Sequence, residues 1–216
     1  MIMNQYENVW RDIIMPLANN PYKGKFITFE GVDGAGKSSL IKLTSEFLVS
    51  MNIDVHTAFT PSNDVRNMEY WKEYSSPETN RSNFDPFGLD MIAFADRLLW
   101  QNRYLEPTLS KGVWVLCDRY LLNSLVYNQH KIFIDLLPYA LGPNLGFVVT
   151  ADITLVNQRI QKRGERENKD DISEKSMLND RYILLGKKNE YVLVDTSNKS
   201  IEQSFDEILP QLCNLL

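Results

Sequence analysis

Residues 25–49 read KFITFEGVDGAGKSSLIKLTSEFLV, and the order of residue types within them decides the fold. The first six form a short apolar, β-favouring run, and Leu40, Leu43, Phe47 and Leu48 then recur at the helical period. Between strand and helix, Gly31, Gly36, Lys37 and Ser38 satisfy G-x-x-x-x-G-K-[ST] in full, in the setting that gives this motif its meaning. Glycines strip side chains from the loop so that backbone N–H groups converge on phosphate oxygens, and the helix N-terminus adds partial positive charge. Lys37 supplies a full charge toward the β and γ phosphates, and the Ser38 hydroxyl is a Mg²⁺ ligand. The stretch Gly31, Val32, Asp33, Gly34, Ala35, Gly36, Lys37, Ser38 and Ser39 is therefore expected to hold a nucleoside triphosphate.

Outward from this loop, IDVHTAF (residues 53–59), VWVLC (113–117), GFVVTA (146–151) and YVLVD (191–195) add four β-favouring runs. Helical spacing is expected over Leu89 to Leu105, Tyr120 to His130, Ile153 to Lys162 and Ile201 to Leu212. In the first of these four helices the reading turns Ile92, Ala93, Leu98 and Leu99 to the core and Asp96, Arg97 and Arg103 elsewhere. Residues 61–86, rich in Ser, Asn and Pro, are expected to be irregular with short helices and to carry substrate-binding loops. Strands alternating with helices mean an α/β fold with a mainly parallel sheet. Ahead of it, Tyr6, Val9, Trp10, Ile13, Ile14 and Leu17 are spaced as an amphipathic helix, so residues 1–23 are read as a helical extension and 24–216 as the main domain.

Composition narrows the function. The 216 residues, 44% apolar and 24% charged, suit one ordinary globular domain with a modest insertion, and a net charge of −5 argues against a general duplex-DNA binder. Cys117 and Cys213 build no disulfide framework or zinc site, and His56 and His130, without neighbouring carboxylate clusters, are expected to be structural. No run of 18 apolar residues and no secretory leader pattern is present, so the expected setting is cytoplasmic.

Asp118 ends a strand, where α/β proteins place their ligands; it either holds Mg²⁺ or caps the turn that follows. Arg119 stands next to it and Arg97 follows Asp96, so two guanidinium groups are available to a second phosphate or to surface ion pairs. The run RGERENKDDISEK, residues 163–175, has no apolar face and reads either as a solvated surface or as a functional segment.

Taken in order, FEGVDGAGKSS, FADR (94–97), VLCDRYLLNSLVYN (115–128) and VDTSNKSIEQ (194–203) resemble the motifs of the thymidylate kinases, a family of nucleoside monophosphate kinases. With the charged run the resemblance spans residues 25–216. It implies the P-loop NTPase fold, a five-stranded parallel sheet flanked by helices with a short Arg-rich lid over residues 159–172. It also implies transfer of the ATP γ-phosphate to deoxythymidine monophosphate, with Mg²⁺, in a homodimer. Carried over by position, Asp33 lies by the acceptor's sugar and phosphate, Arg97 and Arg119 bind its phosphate, and Tyr127 lies against the deoxyribose. Thr196 and Ser197 border the adenine, with Arg159 also on the donor side. Gly34 and Ala35 stand where one branch of the family places an arginine; Arg163 or Arg166 then supplies it from the lid, as in the other branch.

Departures from the pattern bear on the acceptor. Phe59-Thr60-Pro61-Ser62 replaces the usual Arg-Glu-Pro, which leaves one acceptor arginine missing or moved to Arg66. The base-stacking aromatic falls at Phe94 instead of position 93, a rotation of about 100° on a helix. Asn123 and Asn128 replace a usual serine and glutamine. Three other readings remain open: a kinase for another deoxynucleoside monophosphate, a deoxynucleoside kinase, and a non-catalytic nucleotide-binding homologue. A regulatory GTPase is disfavoured, since Asn198-Lys199-Ser200-Ile201 lacks the aspartate that reads guanine.

Overall fold

In the computed structural model, which describes residues 13–76, 79–80, 83–127, 130–162 and 172–216, five parallel strands form one sheet in the order β2-β3-β1-β4-β5. β1 (Phe26–Glu30) is central, between β3 (Trp114–Asp118) and β4 (Leu145–Thr150); β2 (Val55–Phe59) and β5 (Val192–Asp195) are the edges. Every residue of β1 is buried, because helices cover both faces of the sheet, and its run of apolar residues reflects that double burial. Phe29 pairs in register with Asp118 on one side and Phe147 on the other, which fixes the strand-end acid beside the loop leaving β1. Phe29 also meets Phe147 at 5.1 Å, and Phe26 meets the Tyr120 ring edge-on at 5.0 Å.

α1 (Lys37–Ser50) buries Leu40, Ile41 and Leu48, and Phe47 reaches Phe205 of the closing helix at 6.0 Å. Two short helices, α2 (Asn63–Arg66) and α3 (Glu69–Ser75), occupy the expected irregular region. Asp85 caps α4 (Pro86–Trp100) through Phe87 N and Gly88 N, with Pro86 in the first turn, where its missing N–H costs nothing. A π-helical turn, Gln101–Leu105, joins α4 to α5 (Glu106–Ser110). α6 (Leu121–Tyr127), α7 (Lys131–Leu136), α8 (Ile153–Lys162), α9 (Ile172–Lys188) and α10 (Ile201–Cys213) complete the chain. A reciprocal capping box between Ser200 and Gln203 starts the last of them.

Three expectations need correction. Ile13, Ile14 and Leu17 are not helical: the chain there is irregular, and Pro16 within the pattern lacks the N–H and crowds the turn a helix would need. This segment is held as a brace instead, with Met15 N donating to Asn189 Oδ1 at 2.6 Å and Ala18 bridging Leu141. Residues 1–12 of the expected helix lie outside the described ones. On α4, Leu99 is 71% exposed while Asp96 and Arg97 are buried, the reverse of the sequence expectation, because both charged groups find polar partners inside. α7 and α9 had not been anticipated.

Candidate active site

Backbone geometry builds the phosphate loop. Gly31 has φ 137°, and a Cβ placed there would lie 2.1 Å from Val149 O, so no side chain fits between loop and β4. Gly36, at φ 108°, is the left-handed residue that turns the loop into α1. Lys37 is buried beneath the loop; its Nζ donates to Gly31 O and Val32 O, each at 3.0 Å, and lies 3.9 Å from Asp118 Oδ1. Burial and the nearby Arg119 lower its pKa, so the ammonium is held where an arriving anion stabilises it. Ser38 Oγ donates to Asp118 Oδ2 at 3.4 Å, and Asp118 Oδ1 is buried with no hydrogen-bond partner. A hydroxyl and an orphaned carboxylate oxygen are the hard donors that Mg²⁺ prefers, so these residues fit the ion.

On the other side of the loop, Arg159 reaches from α8 across its back. Its guanidinium donates to Gly34 O at 3.3 Å, Thr196 Oγ1 at 2.9 Å and Thr196 O at 2.9 Å. Thr196 Oγ1 in turn donates to Ala35 O at 2.8 Å, and Ser197 Oγ accepts from Asp152 N at 2.9 Å. These contacts lock β5, α8 and the loop around a cavity of about 330 Å³ lined by Gly36, Ser39, Arg159, Lys162, Thr196 and Lys199.

Across the strand ends lies a second, arginine-rich group. Arg119 follows β3 at φ 66°, a left-handed conformation rare for a side-chain-bearing residue, and this turn aims it back at the loop. It pairs with Asp33 Oδ1 at 2.5 Å and donates to Asn123 Oδ1 at 3.0 Å, which also accepts from Tyr182 OH at 2.6 Å. Arg119 is the main reason the Asp33 carboxyl sits down at about 2, aided by Lys37. Arg97, 1% exposed, donates from Nε to Thr60 Oγ1 at 3.1 Å and from NH1 to Ser124 Oγ at 2.8 Å, and its NH2 has no partner. Glu30, beneath it, accepts from Tyr120 N at 2.9 Å; burial, partly offset by Arg97, pushes its carboxyl up to about 7. Arg66 lies with its guanidinium 4.3 Å from the Phe59 ring centre and its Nε on Pro61 O at 2.8 Å.

The structure thus gathers Asp33, Lys37, Ser38, Asp118, Arg119 and Asn123 on one side of the phosphate loop and Arg159, Thr196 and Ser197 on the other. Tyr127 ends α6, 39% exposed. Phe94 does not face the crevice: it is 1% exposed and packs on Phe133 at 5.6 Å. Arg163, Arg166, Asn128 and most of the expected lid lie outside the described residues. Glu30 went unnoticed in the sequence, although an acid closing the apolar run FITFE was its signal. Thr60, Ser124 and Tyr182 carried no signal, since only tertiary contact brings them to the arginines.

A family model described as thymidylate kinase matches residues 29–208. A probable thymidylate kinase of Methanocaldococcus jannaschii is 29% identical over 195 residues, covering 88% of this chain and 96% of that one. The thymidylate kinase of Desulfotalea psychrophila is 33% identical over 158 residues, covering 70% and 75%. The crystal structure of thymidylate kinase from Ehrlichia chaffeensis shares the fold with a TM-score of 0.63 at 21% identity, covering 88% of this chain and 98% of that one. A phosphate loop at the end of the central strand, an arginine-rich crevice facing it and a match over most of the sequence lead to one conclusion: the chain belongs to the thymidylate kinase family.

Proposed function

We propose that the protein transfers the γ-phosphate of ATP to deoxythymidine monophosphate, giving ADP and deoxythymidine diphosphate. The observation that carries this reading is Arg97, a buried guanidinium with an unpaired N–H, held by Thr60 just past β2 and by Ser124, in a protein with an intact phosphate loop. A buried cation left short of an acceptor is costly, and an anionic ligand offsets that cost.

In this reading the loop N–H groups and Lys37 hold the donor phosphates, with Arg159, Thr196 and Ser197 at the adenine end. Ser38 and Asp118 would hold Mg²⁺, which would supply charge neutralisation at the donor phosphates. Arg97 and Arg119 orient the acceptor phosphate in line, Asp33 borders its sugar, and Tyr127 covers the deoxyribose face while Asn123 fixes Arg119. An acceptor phosphate oxygen attacks the γ-phosphorus as the bond to the β-phosphate oxygen breaks and ADP leaves. The attacking oxygen is already anionic, so no general base is required. Asp33, which borders the sugar in this reading, is held at about 2 and is a poor proton acceptor, in keeping with that. Arg163 or Arg166 closes over the transferring group.

The buried position of Phe94 favours a second reading in which the acceptor is another pyrimidine deoxynucleoside monophosphate. Exposed Leu99 and Tyr104 on consecutive turns support pairing of two copies, and no described helix is long and apolar enough to cross a membrane. A cytoplasmic setting is part of the same proposal. The deciding assay compares kcat/KM for dTMP, dUMP, dCMP, dGMP and thymidine. The proposal expects dTMP to lead; preference for dCMP or dGMP removes the base assignment, and preference for thymidine overturns the monophosphate kinase reading.

A further inference from the structure

Asn123 and Tyr127 lie four residues apart, one above the other on α6, and Arg119, just ahead of the helix, reaches back to the first of them. Leu121, Leu122, Leu125 and Val126 are buried, while Asn123 is only half-buried. Its carboxamide oxygen accepts from Arg119 NH1 at 3.0 Å and from Tyr182 OH at 2.6 Å. A guanidinium only donates, so the atom it meets is the oxygen, and the tyrosine hydroxyl on that same atom donates as well. Which way the amide is turned is thereby fixed. Its nitrogen has no hydrogen-bond partner among the described residues and is not shut away from solvent, so the N–H₂ edge stands open beside Arg119. Tyr182 comes from α9 and is fully buried; burial pushes its hydroxyl well above its ordinary pKa, so it stays protonated and stays a donor.

We propose that Tyr182 is a positioning residue for acceptor binding: it keeps the Asn123 oxygen turned inward, so that the N–H₂ edge donates to an oxygen of the acceptor's nucleoside. The proposal rests on the monophosphate kinase reading and adds a residue of α9 to it. Arg119 carries two duties, since its NH2 is on Asp33 and the whole group meets the acceptor's phosphate in that reading. Once the phosphate draws the guanidinium, the hold on the amide that does not depend on the ligand is the one from Tyr182. Asn123 stands between Arg119, on the phosphate, and Tyr127, on the deoxyribose, which makes the nucleoside its partner. An amide edge that only donates is also selective. It accepts a carbonyl or sugar oxygen and opposes a donor such as an exocyclic amine, which would leave both groups unpaired.

The test combines kinetics with calorimetry. Tyr182→Phe is expected to raise KM for dTMP about fivefold, with kcat and KM for ATP moving less. Asn123→Ala is expected to raise the same KM about tenfold, and Tyr182→Phe added to it to cost nothing further. Asn123→Asp keeps an oxygen for Arg119 and Tyr182 but loses the N–H₂ edge, so it separates donation to the acceptor from support of Arg119. Inhibition by thymidine, which carries no phosphate, is expected to weaken in all three single variants. With 2-thiothymidine and 4-thiothymidine, whose sulfur is a weak acceptor, a loss of inhibition in the wild type that is absent in Asn123→Ala marks a base carbonyl as the partner; no such loss marks the deoxyribose. Thymidine inhibition that stays at its wild-type value in Asn123→Asp overturns the donor role. Penalties that multiply in the double variant overturn the role of Tyr182, since a merely structural residue behaves that way. If Asn123→Ala does not fold, the cycle of Tyr182→Phe with Asn123→Asp decides. If the wild type does not phosphorylate dTMP, the functional reading has failed; calorimetry of thymidine binding to wild type, Tyr182→Phe and Asn123→Asp then tests the amide separately, and equal affinity in all three overturns it.

Discussion

Replacing Glu30 by Gln tests the electrostatics of the crevice floor through stability instead of turnover. Glu30 is fully buried, accepts one hydrogen bond from Tyr120 N, and leaves Oε2 without a partner. Burial raises its carboxyl from an ordinary 4.5 to about 7, with Arg97, Tyr120 N and Arg119 opposing and Asp118 reinforcing the rise. Between those two values the folded protein keeps a proton that the unfolded chain has released, so stability falls as pH rises through the window and levels off above it. A shift of this size corresponds to about 3 kcal/mol in all, of which roughly 2 to 3 kcal/mol falls between pH 5 and pH 8. Gln keeps a carbonyl for Tyr120 N and does not titrate. Urea unfolding of both proteins at pH 5 and pH 8 should therefore show Glu30→Gln gaining on the wild type by about that amount at the higher pH, with unchanged m-values. A difference between the two proteins that is the same at both pH values would refute the reasoning.

Two predictions address the chemistry. Lys37→Ala should fold normally and lose about a hundredfold or more in kcat, because the cation facing the transferring group is gone; near wild-type turnover would remove Lys37 from the mechanism. Arg163→Ala and Arg166→Ala should each be assayed for kcat and for dTMP KM, with the lid arginine identified by a fall in kcat that exceeds any change in KM. If neither variant changes kcat, the lid assignment is wrong.

The phosphate loop and all five strands are legible in the sequence because their signals are local. Glycine spacing, a lysine at the start of a helix and short apolar runs need no knowledge of what packs where. Sidedness on α4 is another matter. Leu99 looks like a core residue and Asp96 a surface one, but the carboxylate meets Ser62 and Arg97 meets Thr60 and Ser124, partners 34, 37 and 27 residues away in sequence. Phe94 is likewise claimed by Phe133, from a helix whose periodicity is too short to read. α9 is masked at its start by a dense charge run, and its contribution to the site, Tyr182, is an ordinary core aromatic until its hydroxyl is seen on Asn123.

The wide turn at Gln101–Leu105 has a consequence for insertions and deletions. A π-helical turn holds one residue more than the α-helical turn it replaces, so the extra residue is taken up in the turn and α4 and α5 keep nearly the phase of one continuous helix. α5 is pinned by Leu109, whose carbonyl accepts from Gly24 N at 2.9 Å. Deleting one residue between them would regularise the helix and leave every motif in place. It would also leave Arg97 in phase with α5, still facing Thr60 and Ser124, whereas loss of a second residue would swing it by about 100°. The turn thus gives the segment between Arg97 and Leu109 room to lose one residue, and only one, without disturbing the arginine.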